Sequence, residues 1–198
     1  QGEDGWSNIN AMNNLIKTIL FSDDILTISA FRANAGAGGV FLGLAGDFVF
    51  AKRGVVLNPH YKTMGLSGSE YHTYTLPKRV GEEMANRLLK EALPISANRA
   101  KEIGMVDFVY EDFKEVEDFA LSLAKDEDKF YDLLDAKRDR LQEEEELINM
   151  CLEKELERMY PEFWEEDSLF HKLRRDFVYK ICPLKTPKRL AIHRREDA

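Results

Sequence analysis

At 198 residues and 44% apolar composition the chain is long enough to bury one full-sized core, and no run approaches the roughly 20 apolar residues that span a bilayer. A formal net charge of −8 argues against non-specific nucleic-acid binding. Cys151 and Cys182 lie far apart without a CxxC partner, which argues against a disulfide scaffold or a structural zinc, suits reduced thiols in the cytoplasm, and leaves no metal site expected.

Gln1 to Ser7 is polar and acidic, without the basic and apolar regions of a signal peptide and without an initiator Met, which predicts a cut or processed piece of a longer chain. Ser7 is placed to cap a helix carrying Ile9, Met12, Leu15, Ile16, Ile19 and Leu20 at helical spacing, and Asp23-Asp24 break it. Ile25 to Phe31 reads as a buried strand. The glycine-rich turn Ala35 to Gly39 then opens a second helix running through Val40, Phe41, Leu42 and Leu44 to Asp47. Phe48 to Ala51 and Val55 to Leu57 are strands around the turn Lys52-Arg53-Gly54. Beyond an irregular stretch, Ser69 to Leu76 is a short helix closed by Pro77, and Glu82 to Ala92 is another that Pro94 ends. Ser96 caps a helix to Ile103, Gly104 takes the position just past its end, and Met105 to Tyr110 is the last strand.

After that the strand signal stops. Phe113 to Lys125 is helical, and Asp132 to Met159 is a long charged helix with a stripe of Leu134, Leu141, Ile148, Leu152, Leu156 and Met159. Two aromatic-rich helical pieces follow, around Phe163-Trp164 and Leu169 to Tyr179. The alternation of strand, glycine turn and helix defines an α/β class. It divides the chain into residues 1–112, an α/β core, and residues 113–198, an all-helical extension. Lys185, Lys188, Arg189, His193, Arg194 and Arg195 make a basic tail, read as a solvated or phosphate-facing end.

Two constellations carry chemistry. The strand entering Gly36-Ala37-Gly38-Gly39 presents free backbone N–H groups at a helix start, suited to a phosphate or to a thioester oxygen developing negative charge. It is neither GxGxxG nor a Walker A loop, and glycines that merely allow tight strand–helix packing are the plainer reading. The second is Asn58-Pro59-His60-Tyr61-Lys62, followed by Gly65 and by Gly68-Ser69-Glu70-Tyr71-His72. An imidazole, a phenol, an ammonium and a carboxylate on one loop can exchange protons near neutral pH. Singly, His60 reads as a satisfied loop histidine, Tyr61 and Tyr71 as packing residues, and Glu70 as a charge favoured at a helix start.

Phe31 to Asp47, with its Arg32-Ala33-Asn34-Ala35-Gly36-Ala37-Gly38-Gly39, resembles the crotonase segment that supplies one oxyanion-hole N–H. Asn98 to Val109, with Gly104-Met105-Val106, is similar to that superfamily's closing motif. Within the superfamily, Arg53 to Lys62 and Gly68 to Gly81 resemble the HypX (HoxX) family of hydrogenase maturation factors, and the likeness runs on through Glu155 to Met159, His171, Phe177 to Lys180 and Leu190 to Arg194. The resemblance implies an enoyl-CoA hydratase/isomerase-type (ClpP/crotonase) core lacking its upstream part, with one edge of its sheet left exposed or covered by another copy of the chain, followed by the helical extension. It also implies coenzyme A as part of a thioester substrate, no nucleic acid or membrane partner, a homo-oligomer, and contact with other hydrogenase maturation proteins.

Position by position it makes Gly38 an oxyanion donor, and it puts Phe41 and His60 where hydratases carry their two glutamates, so hydration has no acid/base pair. It implies release of CO from formyl-CoA, with tetrahydrofolate used only by a separate N-terminal module. Tyr61 and Glu70 are then the proton-handling pair, with His60, Lys62, Gly39, Ser69 and Tyr71 supporting. Ser67 and His72 depart from the family's usual aromatic and Trp, which loosens the pocket. The alternatives are another crotonase-type hydrolase, isomerase or hydratase, or a non-catalytic CoA-binding or assembly module.

Overall fold

The computed structural model describes residues 2–187, so most of the basic tail and the Leu190 to Arg194 motif lie outside the described residues. Helix α1 (Gly2–Phe21) leads into β1 (Ile28–Phe31), β2 (Ala35–Gly36), α2 (Gly38–Leu44), β3 (Phe48–Lys52) and β4 (Val56–Asn58). A single 3₁₀ turn (Lys62–Met64) precedes α3 (His72–Val80), α4 (Glu82–Glu91), β5 (Ile95–Ser96), α5 (Ala97–Glu102) and β6 (Phe108–Tyr110). Then come α6 (Phe113–Lys125), α7 (Glu127–Trp164) and α8 (Leu169–Val178).

The strands form two small sheets. One is parallel, in the order β1-β3-β6, with Ile28 opposite Phe48 and Phe50 opposite Phe108. In the other, β2 runs parallel to β4, which pairs antiparallel with β5. β1 pairs with β3 alone and so forms one edge of its sheet. The core between sheets and helices holds Val40, Phe41, Leu44, Val49, Ala51, Leu57, Leu76 and Leu88, and each Val, Leu or Phe side chain among them taken out of water contributes about 1.5–3 kcal/mol.

Several boundaries move from the sequence reading. Ser7 lies inside α1 and caps nothing, because Trp6 stacks edge-on against Tyr160 and Phe163 and the helix is packed back to Gly2. The first strand begins at Ile28 and not at Ile25, since Lys137 Nζ takes the Ile25 carbonyl and Asp47 takes the Thr27 N–H. The last strand shrinks to Phe108–Tyr110 because the Met105 and Val106 N–H groups bond to the Ala100 carbonyl, which ends α5. α3 starts at His72, three residues late, after backbone that no helix accommodates, and runs through Pro77 to Val80. The long helix takes in Phe163-Trp164, expected as a separate piece, and Asp126 caps its start by accepting from the Lys129 N–H. Among the described residues everything from Phe113 on is helix or irregular chain, and no helix is long and apolar enough to cross a membrane.

Candidate active site

The loop between β4 and α3 brings Tyr61 and Glu70 together. Tyr61 Oη lies 2.6 Å from Glu70 Oε2 and 3.0 Å from the Ser69 carbonyl, and its single proton points to the nearer, charged acceptor. Ser69 Oγ donates to the same carboxylate oxygen at 2.7 Å. Glu70 is only 1% exposed and Tyr61 7%. Burial raises the Tyr61 phenol well above its ordinary range, and the charge of Glu70 and the hydrogen bond to it push the same way, so Tyr61 is a proton holder at neutral pH.

The second constellation faces this pair. Gly38 is the first residue of α2, and among the described residues no hydrogen bond uses its N–H. A Cβ at Gly38 would sit 2.7 Å from Glu70 Oε1 and 2.8 Å from Met12 Cε. The carboxylate thus lies directly against the helix start, and α1 covers both with Met12. Phe41, fully buried one turn on, stacks on the Tyr61 ring at 5.4 Å and 13°. His72 packs edge-on to the same ring at 5.4 Å, and Gly68 meets it face to backbone with φ +106°, which leaves no room for a side chain there.

The backbone here is under strain. Ala37 (φ +49°), Glu70 (+60°) and Tyr71 (+56°) all occupy the left-handed region without being glycine, at a cost of about 1–3 kcal/mol each. Hydrogen bonds from distant elements hold the loop in place. Asn13 on α1 accepts the Glu70 N–H at 2.8 Å. Glu155 on α7 accepts the N–H groups of Tyr71 (3.0 Å) and Thr73 (2.7 Å) and the Thr73 hydroxyl (2.6 Å), with His72 Nδ1 at 3.1 Å. Glu162 accepts from the Ser67 N–H at 2.8 Å and from its hydroxyl at 3.1 Å. The two departures from the expected aromatic pattern, Ser67 and His72, are thus both among the residues that meet α7 carboxylates.

Other sequence candidates lie apart from the pair. The His60 ring accepts the Lys62 N–H at Nδ1 (3.1 Å), and burial followed by the Lys62 charge lowers its pKa, so it stays neutral. Among the described residues no hydrogen bond joins it to Tyr61 or Glu70. Lys62 Nζ reaches the Lys90 carbonyl at 2.7 Å, and Gly39 is exposed beside Ala35. The Tyr71 ring turns into the cluster of Ile16, Tyr74, Leu141 and Ile148, where its hydroxyl has no partner and burial, then Glu155, raises its pKa to about 12. Among the described residues no group of three or more His, Cys, Asp or Glu side chains is placed to hold a metal. An open cleft beside Asp47 is lined by Lys78, Arg79 and Arg140, but these cations are paired with Glu144, Asp107 and Asp47.

The sequence reading missed Asn13 and did not assign Glu155 or Glu162 to the site. Glu155 carried one signal. It falls seven residues after Ile148 in the series Leu134, Leu141, Ile148, where an apolar residue is due. A carboxylate at that register, 2% exposed, needs partners on the facing surface.

The order of strands and helices, with the glycine turn opening α2, is that of a crotonase-fold protein. Bacillus halodurans enoyl-CoA hydratase shares that fold with a TM-score of 0.73 at 21% identity, over 84% of this chain and 66% of that one. The enoyl-CoA hydratase/isomerase family model matches residues 6–161, and the chain belongs to that family. It is 40% identical to the hydrogenase maturation factor HoxX of Bradyrhizobium diazoefficiens over 97% of its own length and 35% of that protein's. Two crystal structures of HypX from Aquifex aeolicus, one a variant and one in complex with tetrahydrofolic acid, superpose with TM-scores of 0.90 and 0.89. Both are 41% identical, over 98% and 100% of this chain and 36% of each of theirs. The chain therefore spans about a third of the length of these relatives and resembles their crotonase-like part.

Proposed function

We propose that the chain is an acyl-CoA lyase module that splits formyl-CoA into CO and free coenzyme A, as part of nickel-iron hydrogenase maturation. The observation that carries this reading is the Tyr61–Glu70 hydrogen bond placed against Gly38. The thioester carbonyl oxygen lies at the Gly38 N–H, where a preorganised donor stabilises developing negative charge. Glu70 removes the formyl C–H proton, the electron pair of that bond stays on carbon as the lone pair of CO, the C–S bond breaks with its pair leaving on sulfur, and an oxygen lone pair completes the C–O triple bond. Tyr61 protonates the leaving thiolate, and its phenolate recovers the proton from Glu70. One formyl thioester gives one CO and one thiol, with no oxidant or water consumed.

Hydration fits less well. Phe41, in place of a hydratase glutamate, is fully buried and stacked on Tyr61, so it brings no second carboxylate to a double bond. Similarity to HypX and HoxX supports the maturation role, and the partners proposed with it are formyl-CoA, other maturation proteins and further copies of the chain. Tetrahydrofolate belongs, in this reading, to a separate module. The proposed setting is the cytoplasm, where Cys151 and Cys182 stay free thiols.

The test supplies formyl-CoA to the full-length protein and traps CO with a haem reporter. CO release in step with free thiol supports the lyase. Tight CoA binding without CO makes the chain a non-catalytic CoA-binding module.

A further inference from the structure

The segment Gly68 to Thr73 has to hold Glu70 against both Tyr61 and Gly38, yet its own sequence opposes that geometry. Glu70 and Tyr71 are consecutive left-handed residues, and α3 begins behind them with no side-chain cap from Tyr71, its N-cap residue. The missing cap is delivered from α7. One carboxylate oxygen of Glu155 takes the Tyr71 N–H, and the other takes the Thr73 N–H and hydroxyl. The His72 ring lies between this second oxygen and the Ser69 carbonyl, at 3.1 and 3.0 Å. A negative charge there is favoured by the free N–H groups and dipole of the helix start, and it fills the place an anionic ligand would otherwise take. Glu155 touches neither Tyr61 nor Glu70 by a hydrogen bond. Apart from the field of its charge at the Tyr61 phenol, its action on them passes through the Tyr71 amide, the next residue along from Glu70.

We propose that Glu155 is a positioning residue, which fixes the left-handed Glu70–Tyr71 turn and so aims the Glu70 carboxylate at Gly38 and Tyr61. This rests on the reading of Glu70 as the proton acceptor. It makes the long helix part of the site. Glutamine keeps the shape of Glu155 but turns one of its two acceptor oxygens into a donor that faces N–H groups, so the turn loses its hold on one side.

The experiment uses the full-length protein with Glu155→Gln, and with Glu157→Gln, on the exposed face of α7, as control. On formyl-CoA, kcat falls by about tenfold or more while KM stays within about twofold, the loss expected when a general base is misplaced but binding is not. Combined with Tyr61→Phe, Glu155→Gln adds little further loss, since both act through one unit. Amide exchange at Tyr71 and Thr73 speeds up by about tenfold without a change across the sheet. Unchanged exchange overturns the positioning role whatever the activity, and so does a full multiplicative loss in the double variant. If wild-type protein releases no CO while Glu155→Gln still loosens Tyr71 and Thr73, the lyase reading fails and the positioning stands. Should Glu155→Gln not fold, Thr73→Val removes the shortest of the bonds without changing side-chain shape, and it should move kcat and exchange the same way by a smaller factor. No change in either sinks the proposal.

Discussion

Tyr61 Oη and Glu70 Oε2 are 2.6 Å apart across a loop that doubles back through Gly65 and Gly68, so two side chains nine positions apart share one proton inside the protein. If this pair carries the proton traffic, Tyr61→Phe and Glu70→Gln each lower CO release by at least about tenfold. Affinity for coenzyme A should stay within about twofold, because neither group is needed to hold the nucleotide. Single-turnover CO trapping and equilibrium CoA titration measure the two quantities separately, and near-wild-type CO release from both variants would remove the pair from the mechanism.

Gly38 should lose more in turnover than in folding when it gains a methyl group. A Cβ there meets the end of Met12 and the buried Glu70 carboxylate, which the Tyr61 and Ser69 hydroxyls hold, so Gly38→Ala should cost about 1–3 kcal/mol in urea unfolding. The same methyl displaces the Glu70 carboxylate from the helix start, and CO release should fall by about tenfold or more. A β-branched residue should abolish turnover. Full activity in Gly38→Ala would show that the carboxylate has no need of that position.

Phe41 supports the site from below. Phe41→Ala removes a fully buried ring that stacks on Tyr61, and it should lower unfolding free energy by about 3–5 kcal/mol. Phe41→Glu should be worse, because it would put a carboxylate in the fully buried place of the phenyl ring, against the Tyr61 and His72 rings. Chemical denaturation of both variants against wild type checks the order.

Tyr71 should make the protein sensitive to alkali. Its phenol is raised to about 12 when folded, so above the ordinary value of about 10 the unfolded chain loses a proton that the folded one keeps. The contribution is fully present below pH ~10 and is lost as pH climbs towards ~12, by about 2–3 kcal/mol at most. Tyr71→Phe should flatten that fall while costing little near neutrality, since its hydroxyl has no partner to lose. Urea midpoints at neutral pH and at pH ~11 for both proteins decide it.

Local signals served well where one turn of chain decides the outcome. The helix Phe113–Lys125 has the ends the sequence reading expects, and in the structure Asp112 and Glu115 form a capping box at its start. Ser96 caps α5 as expected, and Gly104 takes φ +80° behind it. Boundaries failed where a side chain from far along the chain claimed a backbone group, as Lys137 and Asp47 do ahead of β1.

The same division holds for the site. Composition, the glycine turn and the polar loop by themselves point to an α/β chain with a glycine helix start and a loop of proton-exchanging groups, and the resemblance to the crotonase and HypX families is what makes Gly38, Tyr61 and Glu70 the candidates among them. Only the tertiary structure decided that Glu70 faces Gly38, that Tyr71 turns away into the α1–α7 core, and that Asn13 and Glu155 hold the turn between them. Those contacts join residues 57 and 84 positions apart. No local period encodes such pairings, because they are selected by the shape and polarity of surfaces that exist only once the helices have packed.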